Sequence, residues 1–127
     1  MARLLETVGK ELDKAMAVID RALDDPTVKK GERKAVEVVD RTMEKVDSIL
    51  ARALVSARGC TSEAKGPAKK AVDEVNKGLM RARDEVQRKR ASLQGHSIED
   101  TAVKVLGDVG RTVDRVASRV KEELKHA

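Results

Sequence analysis

The residues of this chain with the most reactive side chains are His96, His126 and Cys60, and none of them stands in the company that a reaction needs. A general base must be held against its proton, a nucleophile needs a base beside it, and a metal needs several ligands converging on one point. His96 follows Gly95 in a break between two helical segments, and His126 stands next to the last residue, so neither falls on an apolar stripe. Glu123 and His126 have the Glu-x-x-His spacing, but there is no second pair of that kind as used in di-metal centres inside helical bundles, and neither histidine belongs to a His-Glu-x-x-His zinc motif. The glycines form neither the G-x-G-x-x-G fingerprint nor a P-loop. The expectation is a protein that is not an enzyme, with no catalytic, metal-binding or cofactor-binding residues and no cofactor implied.

Cys60 is the candidate reactive thiol. The run Gly59-Cys60-Thr61-Ser62 reads as a break after a helix, which would leave the thiol in a turn with Arg58 and Lys65 near it in sequence. Cationic neighbours lower a thiol pKa, although an incidental exposed cysteine needs less explanation. A single cysteine makes no internal disulfide, so a cytoplasmic or otherwise reducing compartment is the simpler reading. A signal peptide already removed would leave no trace.

The remaining candidates are cationic. Between Thr61 and Gly95 nine lysines and arginines stand against five acids, and this segment carries most of the formal net charge of +5. Lys65, Lys69, Lys70, Arg81, Arg83, Arg88, Lys89 and Arg90 are therefore the candidate contacts to an anionic surface, because binding phosphate takes little more than positioned cations. The run Arg88-Lys89-Arg90 is its densest part. A solvated face with interspersed acids is the plainer reading of the same residues.

These side chains must be positioned by helices. Residues Leu5, Val8, Leu12, Ala15, Ile19 and Ala22 recur three and four apart, which is a helical stripe. Leu4, Met16, Val18 and Leu23 widen it beyond a coiled-coil seam, as suits a helix with several neighbours. Asp24-Asp25-Pro26 interrupts the pattern, since a residue before proline avoids the α region. Val36, Val39, Met43, Val46, Leu50, Ala53 and Ala57 mark a second stripe. Gly66-Pro67 then predicts a new start with proline at the first helical position. Val72, Val75, Leu79, Ala82, Val86 and Leu93 mark the third stripe, with Lys89 at a position where an apolar residue is expected. Ser97 with Asp100 fits a capping box, and Leu106, Val109, Val113, Val116, Val120 and Leu124 mark the fourth. Lys34–Asp40 resembles Lys70–Val75, but a shared pattern explains that likeness without a repeat.

Helices over about 2–24, 32–58, 67–93 and 98–125, joined by short breaks, predict an all-α, single-domain antiparallel four-helix bundle in up-down-up-down order covering residues 1–127. A three-helix bundle would need a kink at 24–32, against which Pro26 and Gly31 argue. The 127 residues fit one core, and hydrophobic residues at 40% with charged ones at 39% supply both core and wet surface. Aromatic residues are absent, so the core must be packed from Val, Leu, Ile, Met and Ala, and the usual platforms for bases, sugars and flat cofactors are missing. Gly9, Gly78, Gly107 and Gly110 fall inside helices, where each costs about 1 kcal/mol against alanine, so a close helix approach is expected at them.

No stretch is apolar enough for a transmembrane segment. The first functional expectation is a structural or protein-interaction module, with a protein partner or self-association. Lipid-surface binding comes second, since aromatic-poor amphipathic helices could open onto lipid; in that generic sense the chain resembles exchangeable apolipoproteins. Nucleic-acid binding through the basic third helix comes third. An artificial sequence would show the same stripes, but mid-helix glycines and a free cysteine are features that designers avoid.

Overall fold

A computed structural model describes residues 2–30, 34–63, 65–95 and 99–125. Among these the chain is helical almost throughout, with no strand: α1 is Ala2–Asp24, α2 Pro26–Lys29, α3 Ala35–Glu63, α4 Pro67–Gly95 and α5 Glu99–Lys125. Each long helix forms where its stripe lies, and the stripes converge. Leu12, Ile19, Met43, Leu50, Leu79, Leu106 and Val113 are all buried in one aliphatic cluster that draws on every helix. Around that cluster α1 packs against α3 and α5, and α4 packs against α3 and α5.

The contacts also fix the register. Leu4 touches Gly59 while Glu11 pairs with Arg52. Asp40 pairs with Arg90 and Asp47 with Arg83. Gly78 meets Val116, Thr112 donates to Glu85, and Lys89 reaches Asp108. Gly9 lies against Val120 and Gly110 against Ile19.

The interruption at Asp24-Asp25-Pro26 is more than a break. Asp25 stands in extended backbone and its carboxylate accepts from the Thr27 N–H at 2.8 Å, so it caps the single turn of α2 with Pro26 in the first position. That turn carries Val28 into the main cluster, fully buried, where it closes one end of the core. The turn between α3 and α4 follows expectation: Gly66 takes a φ of +66°, a left-handed conformation that favours glycine, and Pro67 begins α4.

Helix α3 departs from expectation at its C-terminal end. It does not stop at Arg58 but runs through Gly59 and Cys60 to Glu63. Gly59 is a contact point and not a terminator, since a Cβ there would come within 3.3 Å of Leu4. Cys60 stands three residues beyond Ala57 and continues the stripe. It is buried in a small satellite cluster with Leu5 and Val72, flanked by Leu4 and Leu124. Near the other end of α3, Ala35 is fully buried while Val36 is only half-buried. The expected helix start at residue 32, the Ser97 cap, the Asp100 side chain and the burial of Leu93 fall outside the described residues.

The helical glycines separate into two kinds. Gly78 and Gly110 admit a neighbouring helix, with a Cβ meeting Val116 at 3.3 Å and Ile19 at 3.4 Å, whereas a Cβ on Gly107 would meet only its own helix's Arg111 at 4.0 Å. Gly107→Ala should therefore raise unfolding stability by about 1 kcal/mol, while Gly78→Ala should gain none of it. Urea unfolding of the two variants checks the contrast, which equal gains would contradict. In the same experiment Leu50→Ala, which empties the centre of the core, should cost about 2–5 kcal/mol.

Candidate functional site

The eight cationic candidates do not share one surface. Consecutive residues of an α-helix point about 100° apart, so the run Arg88-Lys89-Arg90 is dealt out to three directions. Arg90 turns to α3, where its guanidinium donates to Asp40 at 2.7 and 3.4 Å and lies 3.6 Å from Glu44. Arg83, two turns earlier on the same side, donates to Asp47 at 3.0 Å. Lys89 turns to α5 and reaches Asp108 at 3.4 Å. The hydrogen bond it donates to Asp40 holds the Arg90 guanidinium above its usual pKa, with desolvation opposing it and the Asp40, Glu44 and Asp47 charges adding to it. These three cations therefore act as pins between helices.

The other five are exposed. Lys65, Lys69 and Lys70 cluster at the start of α4, and Arg81 and Arg88 line a shallow groove of about 530 Å³ with Asp84, Gln87 and Ala91. Among the described residues none of these five cations forms a salt bridge.

Sequence reasoning missed two cationic groups. On α5, Arg111, Arg115 and Arg119 recur every four residues and all are exposed, although the helix as a whole is not conspicuously basic. Asp108 and Thr112 face α4, so Arg115 and Arg111, the latter paired with Asp108, stand on the solvent side of the α4–α5 seam. On the far side of the bundle, Arg41, Lys45, Ser48 and Arg52 line a second groove of about 490 Å³, floored in part by Val18 and Ile49. Arg52 is tied there to Glu11 at 3.3 Å and Glu44 to Arg90. In both groups the signal was a cationic spacing at the helical period, four and four on α5 and four then seven on α3, within segments of balanced charge.

Cys60 does not stand where a reactive thiol would. It is buried in α3 and not exposed in a turn, and the aliphatic side chains of Leu5 and Val72 surround it. His96 and His126 fall outside the described residues. Among those described, no three His, Cys, Asp or Glu side chains gather as they would around a metal ion. Nor is any helix long and apolar enough to cross a membrane. Comparison of the chain with protein-family models, with curated proteins and with solved structures gives no match.

Two measurements check this geometry. Native Cys60 should react with a thiol reagent orders of magnitude more slowly than the denatured chain, because reaction must await opening of the α1–α3–α4 end; comparable rates would contradict its burial. Asp40→Asn should destabilise the fold by about 1 kcal/mol in urea unfolding, and most of that loss should vanish in an Arg90→Gln background. Additive losses would show that the pair is not coupled.

Proposed function

We propose that this chain is a non-enzymatic module that acts through its surface: a closed antiparallel bundle of four long helices, run up-down-up-down, serving as a structural or protein-interaction unit. The contacts support that topology. At each of the four seams residue numbers climb on one helix as they fall on its neighbour: Leu4 and Glu11 against Gly59 and Arg52, Asp40 and Asp47 against Arg90 and Arg83, Gly78 and Lys89 against Val116 and Asp108, Gly9 and Ile19 against Val120 and Gly110. Short connections between successive helices favour the same arrangement.

The observation that carries the functional reading is where the apolar surface goes. The stripes of all four long helices are turned into the core, and among the described residues the exposed large hydrophobics are Val55, Met80 and Val103, on three different helices. A partner must therefore be met mainly by charge and shape, with no greasy groove to receive it. Lipid-surface binding would instead require these stripes to leave one another and face a bilayer.

Amide hydrogen exchange with and without vesicles rich in anionic lipid separates the two. A closed module should keep its protected core amides, such as those around Leu12, Leu50, Leu79 and Val113, when vesicles are added. Loss of that protection with helicity retained would overturn the closed-module reading and establish opening onto lipid.

A further inference from the structure

We infer that the outer side of the α4–α5 pair is a docking face for the phosphate backbone of duplex nucleic acid. The inference rests on the closed bundle proposed above, because only a closed bundle holds the two helices in fixed register. That register is set by Thr112 on Glu85, Lys89 on Asp108 and Val116 on Gly78. Carried along the seam, it brings Arg81 level with Arg115, Lys77 near Arg119 and Arg88 near Arg111. All six are exposed.

They form two antiparallel rows. Lys77 to Arg88 spans roughly 16 Å at the helical rise, Arg111 to Arg119 roughly 12 Å, and packed helices set the rows about 8–10 Å apart. The close approach at Gly78, which keeps a Val116 methyl where a side chain would otherwise stand, brings the rows together. Two of the acids at this edge are engaged: Glu85 accepts from Thr112, and Asp108 pairs with Lys89 and, within its own helix, with Arg111, which leaves Arg111 the most compensated of the six cations. Asp84 is exposed on the flank of α4 and Glu74 is half-buried nearer its start, while on α5 Asp114 is exposed beside Arg115 and Glu122 is exposed one turn beyond Arg119.

Charge complementarity selects the partner. A duplex carries one negative charge per about 1.7 Å of axis with both strands counted, so a length of duplex matching this face holds roughly nine phosphates, of which those on the near side can be reached. Five of the six cations are arginines, whose planar fork matches phosphate oxygens in pairs. A tight protein interface is usually centred on apolar side chains, and a bilayer is held most firmly where apolar side chains enter it. Neither is provided here, since Met80 lies one residue off the Arg81 row toward α3 and Val103 lies toward the α1 side of α5. Contacts to phosphate oxygens carry no sequence information, so recognition by this face is independent of sequence.

The test is fluorescence anisotropy of the whole chain with a short labelled duplex of arbitrary sequence, at about 50 and 200 mM salt. Affinity should fall about 10³-fold between the two, and equally for a second duplex of unrelated sequence. The double variant Arg81→Glu, Arg115→Glu should bind at least about 10-fold more weakly at the lower salt. The matched variant Arg41→Glu, Lys45→Glu, which makes the same change of charge on the α1–α3 side, should bind like the parent. Circular dichroism and urea unfolding establish that both variants remain folded.

Equal losses in both variants would overturn the assignment of the face, and so would absence of duplex binding at the lower salt. Binding to anionic vesicles without binding to the duplex would overturn it in favour of a bilayer. Failure of the inference alone leaves core amides protected in hydrogen exchange, whereas failure of the closed bundle does not.

Discussion

An aliphatic core without a single aromatic ring has to be closed by proximity. Leucine, valine and alanine fill little volume each, and dispersion between them falls away within a fraction of an ångström, so helices separated by the breadth of a phenyl group would leave voids that nothing here can fill. The glycines answer that requirement at several points of the seams. Gly59 receives Leu4, Gly78 receives Val116 and Gly110 receives Ile19, each at the separation where an added methyl group would crowd its neighbour. A penalty in local helix propensity is thereby exchanged for closer packing. Val28 serves the same requirement from another direction, since one turn of helix folded over the end of the core supplies a side chain that the four long helices do not.

Close packing in turn decides what the charges do. Side chains flanking each buried stripe are near enough to reach the next helix, and there Arg83, Arg90, Lys89, Arg52 and Lys121 find Asp47, Asp40, Asp108, Glu11 and Asp13. Pairs this exposed add little stability apiece, but they favour one sliding register over its neighbours. Among the described residues Arg81, Arg88 and Arg115, turned farther toward solvent, find no such partner, and Arg111 pairs only within its own helix. The segment that is most basic in sequence thus divides into cations that hold α4 in place and cations that remain available on the surface, and it is the second group, joined by arginines of α5, that gives the molecule a charged side.

Much of the architecture was legible because burial follows period. Leu5, Val8, Leu12, Ala15, Ile19 and Ala22 were named from spacing alone, and each is buried; so is every named residue of the fourth stripe from Leu106 to Val120. What failed was punctuation. Gly59 read as a stop because glycine usually ends a helix, yet the stripe continues through Cys60, and tertiary contact with Leu4 and Val72 outweighs local preference. Asp25-Pro26 read as a plain interruption, although the same two residues are a good helix cap and a good first residue. The candidate face was half legible. Sequence shows how many cations a segment holds, but which of them turn inward to an acid is settled by helices distant in sequence, as with Arg90 and Asp40.

The claim on which the rest stands is that the four aliphatic stripes meet one another and exclude water. Nuclear Overhauser spectroscopy on methyl-labelled protein addresses it most directly. A closed bundle gives cross-peaks from a Val116 methyl to the α-protons of Gly78, from the Ile19 γ2 methyl to Gly110 and from Val120 to Gly9. Strong sequential helical cross-peaks with none of those three between helices would contradict it.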